Sequence, residues 1–178
     1  MLKVLAIVAV IVVVVIAGIL IYAATKPDSF RVQRIASIKA PSDKIFALIN
    51  DFKAWPQWSP YEKKDPAMTR TYGAVTAGKG ATYAWQGDKN VGQGSMEILE
   101  ASPPRKVVIK LDFLKPFEAH NAAEFVLEPN GDTTSVTWAI RGPSPYMSKV
   151  MSTFINLDTM IGKDFEQGLA NLKAAVEK

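Results

Sequence analysis

The chain has 178 residues, with 21 Lys and Arg against 17 Asp and Glu, a single His and no Cys. A net charge of +4, carried on interspersed basic and acidic residues with no basic run, describes a solvated surface and argues against a nucleic-acid partner. Without cysteine, disulfides and thiolate metal centres drop out, and the length suits one well-filled core beside a terminal segment.

The first element is apolar. Residues 4–24 carry no charge and are mostly Val, Ile, Leu and Ala. At about 1.5 Å per residue, a helix of that length crosses a hydrocarbon layer of about 30 Å. In lipid, a helix satisfies its own backbone, which outweighs the poor helix propensity of β-branched residues. A cleaved signal peptide has an apolar stretch of about 7–15 residues and then a small-x-small site. Here Ile19, Leu20, Ile21 and Tyr22 stand where small residues would begin. The pattern therefore predicts an uncleaved single-pass anchor over 1–26, taken to lie in a bacterial inner membrane, and one domain over 27–178. Lys26, Arg31, Arg34 and Lys39 follow the span while Lys3 precedes it, so the positive-inside rule leans towards a cytoplasmic domain.

Residues 30–39 alternate as a strand, with Val32, Arg34, Ala36 and Ile38 in one phase. Pro41 stops it, and Ser42 is placed to cap a short helix carrying Ile45, Phe46 and Ile49. From Asp51 a second short helix or turn is expected, because Pro56 and Pro60 forbid a long one. Strands then follow over 68–74, 81–86, 91–101, 106–114, 117–127 and 133–141. Loop chemistry separates them, most clearly at Pro129, Asn130, Gly131 and Asp132. A long amphipathic helix over about 146–177, open to interruption near Asn156, closes the chain. Consecutive hairpins make an antiparallel sheet, and helices cover one face of it.

The residues 38–46, the segment Trp55, Pro56, Gln57, Trp58, Ser59, Pro60, the strand residues 134–138 and the helix residues 169–173 together resemble the START-like, or SRPBCC, superfamily, in its polyketide cyclase/dehydrase and lipid-transport branch. The resemblance covers nearly all of 30–178. It implies an α+β helix-grip fold, in which a curved antiparallel sheet of about seven strands wraps a long C-terminal helix. It also implies a cavity between sheet and helix. Carriers, cyclases and sensors share that fold, so function has to be argued from the site.

Strand phase selects the side chains that face this cavity. They include Tyr83 and Trp85, Met96, Phe113, Asn121 and Trp138, with Phe117 opening the strand that bears Asn121. Trp55 and Trp58 join them from the Pro-rich segment. The C-terminal helix adds a stripe of Met147, Met151, Phe154, Ile161, Phe165, Leu169, Leu172 and Val176 at helical spacing. Asp158 falls within that stripe, and Arg34 shares the interior phase. A buried carboxylate needs a partner, so the two are expected either as a polar pair in the pocket or with Asp158 acting only as a helix cap. His120 lies out of phase, as a surface residue. One His and scattered carboxylates have no metal-ligand spacing, and no Gly-rich loop has phosphate-binding spacing, so neither metal nor nucleotide cofactor is expected. The sequence thus points to a membrane-anchored domain holding a hydrophobic small molecule such as a lipid or aromatic metabolite. A cyclase-like enzyme, or an interaction domain with a vestigial cavity, are the alternatives. The pattern specifies no oligomeric state.

Overall fold

Turn chemistry divides the chain, and the computed structural model, which describes residues 1–177, follows those divisions. Helix α1 (Leu2–Ala24) leads into β1 (Ser29–Ile38), α2 (Ser42–Asn50), a 3-10 turn (Phe52–Gln57) and α3 (Tyr61–Lys64). Six strands follow: β2 (Thr69–Tyr72), β3 (Thr82–Gln86), β4 (Gln93–Ser102), β5 (Lys106–Lys115), β6 (Ala119–Asn130) and β7 (Thr133–Pro143). Helices α4 (Tyr146–Met151) and α5 (Leu157–Val176) complete the fold.

The seven strands form one antiparallel sheet in the order β1-β7-β6-β5-β4-β3-β2. Each consecutive pair from β2 to β7 is a hairpin neighbour, and β1 closes on β7. Register shifts within β4, at Gln93/Gly94 and Ile98/Glu100, are of the kind that bends and twists a strand. Gly94 is required at the first of them, since a Cβ there would lie 2.5 Å from the Trp85 ring. The concave face grips α5, which packs on β1 and β7. Phe165, Leu169 and Leu172 bury its apolar side. Gly168 lets the helix approach, because a Cβ there would meet Trp138 at 2.6 Å and Pro60 at 3.0 Å. Helix α2 buries Ile45, Phe46 and Ile49 as its spacing predicts.

Two local expectations are corrected, and the interruption left open near Asn156 is found. Pro41, in extended conformation, takes the position before α2, and Ser42 lies inside the first turn with no capping bond. The C-terminal helix is two helices. After α4 the Ser152 and Thr153 hydroxyls turn back to the Lys149 and Val150 carbonyls. Asn156 then caps α5, accepting from the Thr159 N–H at 3.0 Å. The break swings the front of the expected stripe outward, leaving Met147 68% and Phe154 71% exposed. Likewise β6 starts only at Ala119, so Phe117 stays in the turn and is exposed.

Helix α1 is long and apolar enough over Lys3–Ala24 to cross a membrane, a property that it shares with a signal sequence. Among its described side chains only Ala23 is buried. It meets the domain through α4. Tyr146 donates to the Leu20 carbonyl at 2.9 Å, Lys26 donates to Ser152 at 3.0 Å, and Lys149 pairs with Asp28.

Candidate functional site

Between the concave face of the sheet, α5 and the segment from the 3-10 turn to α3 lies a cavity of about 370 Å³. That volume falls in the range that holds a small organic ligand, roughly 300–1,000 Å³. Eight of the ten side chains expected to face a cavity line this one: Trp55, Tyr83, Trp85, Met96, Phe113, Asn121, Trp138 and Phe165. Leu111, Ala123, Ile140 and Ile161 fill the wall between them. The aromatic part is a stacked array. Phe165 lies on Trp138 at a ring distance of 4.0 Å and a 10° tilt, and Trp138 lies on Phe125 at 5.0 Å. Indole N–H groups are tied to backbone carbonyls, Trp55 to Ile49 at 2.9 Å and Trp85 to Val91 at 3.0 Å. Those two rings therefore offer the cavity their apolar surfaces.

Two of the ten lie elsewhere. Trp58 is fully buried behind the wall, edge-on to Trp138 at 5.5 Å, with its N–H on the Leu48 carbonyl. Asp158 is at the surface. Arg34 does share a face with Trp138, its register partner across β1 and β7. However, β1 is the edge strand, and α5 crosses it at the rim of the core. The guanidinium emerges there, beside Gly162, and donates to both Asp158 oxygens at 3.0 Å and to Glu166 at 2.6 Å. The Asp158 side chain remains 61% exposed. Its bond to Arg34 holds the carboxyl below the usual range, and Asp158 and Glu166 raise the Arg34 guanidinium. The pair that the sequence suggests does form, but outside the cavity, and the cap is Asn156.

Besides Asn121, the polar groups that the cavity contains are ones the sequence did not single out. Glu62, on α3, has its side chain 4% exposed and both oxygens engaged. Tyr83 donates to Oε1 at 2.7 Å and Arg70 to Oε2 at 2.6 Å. Burial first, then the bond to Glu62, pushes the Tyr83 phenol far up, so it remains a donor. Lys64 bonds Asp164 at 2.6 Å, joining α3 to α5 at the rim. Burial and Asp164 likewise raise Tyr61. Ser59 lines the wall at 1% exposure, and its Oγ has no hydrogen-bond partner among the described residues. One signal in the sequence calls for such a partner without naming Glu62: a tyrosine placed in the interior requires an acceptor for its hydroxyl. The acidic residue itself, next to Lys63 and Lys64, reads as surface.

A family model described as polyketide cyclase / dehydrase and lipid transport matches residues 29–177, nearly all of the chain beyond α1. The chain belongs to this family. No curated protein matches it in sequence. Among solved structures, protein CV1439 from Chromobacterium violaceum superposes with a TM-score of 0.59 at 16% identity, covering 86% of this chain and 99% of that one. The Aha1 dimer from Colwellia psychrerythraea gives 0.55 at 16% identity, over 83% and 96%. DynU16, a protein of the dynemicin biosynthetic locus, gives 0.59 at 16% identity, over 86% of this chain and 48% of its own. At this identity the superpositions show the shared helix-grip fold alone. The cavity of this family member is an apolar chamber with a few fixed polar groups.

Proposed function

We propose that this family member is a membrane-tethered binding protein, with α1 as an uncleaved anchor and the domain over 27–178 holding a hydrophobic or amphipathic small molecule between the sheet and α5. The observation that carries the reading is the cavity itself. A largely aromatic and aliphatic wall meets a small set of positioned polar groups, which is the composition of small-ligand sites. The unpartnered Ser59 hydroxyl and the Asn121 amide at the wall suit a ligand with one hydrogen-bonding end and an apolar body. Binding is favoured over a cyclase-type reaction because both Glu62 oxygens are already occupied by donors. A general base has to reach a substrate proton with a free oxygen.

Native mass spectrometry of the full chain, released from membranes, is expected to show a co-purified small molecule or to show uptake of an added lipid or aromatic compound. Ala123→Phe puts a ring into the chamber from the floor of the sheet and should remove that mass while the fold persists. A chain that takes up no apolar compound, or an Ala123→Phe variant that takes it up unchanged, would overturn the proposal.

A further inference from the structure

The cavity opens at the same end of the sheet at which α1 joins the domain. Register fixes this. Ser29, at the start of β1, pairs with Pro143, at the close of β7. Ala122 pairs with Arg141, so the first residues of β6 and the turn before them project at that end. Phe113 pairs with Ala119, and Lys115 with Gln93, which carries the alignment across to the β3–β4 loop. The lining residues Phe30, Asn90, Phe113 and Asn121 all sit on these end segments. Met160, in the first turn of α5, lines the cavity and is 53% exposed, as a residue at the lip.

Exposed large apolar side chains gather here as well. Beyond α1 the described residues include eleven of them, and eight lie at the end of β5 and in the turn after it, on α4 and the turn after it, or on the first turn of α5. Such a concentration on one end marks an interaction surface. Its occupant is indicated by α4. The Tyr146 hydroxyl donates to the carbonyl of Leu20, four residues inside the apolar run that ends at Ala24, about 6 Å along a helix axis. A tyrosine at that level sits where the interfacial zone of the bilayer begins, the depth at which aromatic rings concentrate. Met147 and Met151, four residues apart, share one face of α4, and Phe154, in the turn after it, is exposed as well. Lys89 and Lys115, exposed at the same end, suit anionic headgroups.

We propose that α4 and the β5–β6 turn bed into the surface of the bilayer that α1 crosses, so that the cavity mouth opens onto lipid and not onto water. This rests on the reading of α1 as an anchor. The ligand then enters and leaves along Met160 and Phe154 without crossing the aqueous phase, which suits an apolar molecule drawn from the membrane.

The chain has no cysteine, so single cysteines can be placed and labelled with a polarity-sensitive fluorophore in the full chain. The positions are Met147→Cys, Phe154→Cys and Phe117→Cys, with Val12→Cys inside the span and Asp132→Cys at the far end of the sheet. In vesicles of phosphatidylethanolamine and phosphatidylglycerol, lipids carrying doxyl groups near the headgroup should quench the labels at Met147, Phe154 and Phe117 and blue-shift their emission. The Asp132 label should remain unquenched. Doxyl groups deep in the acyl chains should quench Val12. If Val12 is quenched while the three surface labels behave like Asp132, the anchor stands and the inference fails. If the three labels shift to the blue but no lipid quenches them, a second copy or another protein covers this face, and the inference fails. If Val12 itself escapes every quencher, the anchor reading fails and takes the inference with it.

Discussion

The Tyr83 hydroxyl can be removed without touching the packing of its ring, and the structure gives the size of the effect. Tyr83 is 4% exposed and donates at 2.7 Å to Oε1 of Glu62, whose side chain is 4% exposed. In Tyr83→Phe the ring keeps its neighbours Phe52 at 5.8 Å and Trp85 at 6.1 Å. What changes is that one oxygen of a buried carboxylate is left without a donor, because Arg70 reaches only the other. A hydrogen bond to a charged group contributes about 1.5–3 kcal/mol, and stranding a buried partner puts the cost in the upper part, about 2–3 kcal/mol. For a domain of this size each kcal/mol moves Tm by about 2–4 °C, so a fall of about 4–12 °C is expected. Thermal unfolding followed by circular dichroism, with urea midpoints as a second measure, reads it. Tyr72→Phe is the control, since that ring neighbours Tyr83 at 5.2 Å but lies half-buried at the sheet edge. It should stay within about 0.5 kcal/mol of the parent. A Tyr83→Phe variant as stable as the Tyr72→Phe control would refute a buried Tyr83–Glu62 bond.

Gly168→Ala should destabilise by about 1–3 kcal/mol through overpacking, because the new methyl meets the Trp138 ring and Pro60, neither of which can swing away. Gly162→Ala should cost less in urea midpoint, since the group it displaces is the mobile end of Arg34. Asn156→Ala should cost about 0.5–2 kcal/mol as the loss of a cap, whereas Asp158→Asn should leave the urea midpoint nearly unchanged because its pair with Arg34 is solvent-screened. The bond to Asp112 raises the pKa of His120 above the ordinary histidine value. Its contribution is therefore fully present below about 6.5 and lost as pH climbs through the raised value. An imidazole titration by NMR should give a raised midpoint that Asp112→Asn brings down. A chain beginning at Asp28 should retain its sheet by circular dichroism, since among the described residues of α1 only Ala23 is buried.

The seven strands were legible because alternation and turn residues agree over 30–39 and along 68–141, and strand phase then placed most of the lining. Phase says which face a residue takes, but not how far from the sheet edge it lies. That is why Arg34, correctly assigned to the inner face, was expected in the interior and is found at the rim over β1. The helix break was legible as an interruption near Asn156 but not in its effect on the stripe. The apolar period runs on through Phe154 and Ile161, while the hydroxyls of Ser152 and Thr153 and the Asn156 cap interrupt the backbone locally. Glu62 was hidden by its neighbours: one acidic residue beside two lysines looks solvated until the fold turns it towards Tyr83.

Whether the chamber is a binding site or a relic turns on what keeps it open. A vestigial cavity would be closed by its own aromatic rings, since empty apolar volume in a core is destabilising. Here the rings are held apart from the centre. Trp55 is fixed by its bond to the Ile49 carbonyl and Trp85 by its bond to the Val91 carbonyl. Trp138 is clamped between Phe125 and Phe165. Moving any one inward would break a buried hydrogen bond or a stack, so the chamber of about 370 Å³ persists. An occupant that binds only the folded state returns stability in proportion to its affinity and concentration. The same rigid framework that prevents collapse is thus what makes occupancy by an apolar ligand favourable, and it sits at the end of the sheet that meets α1.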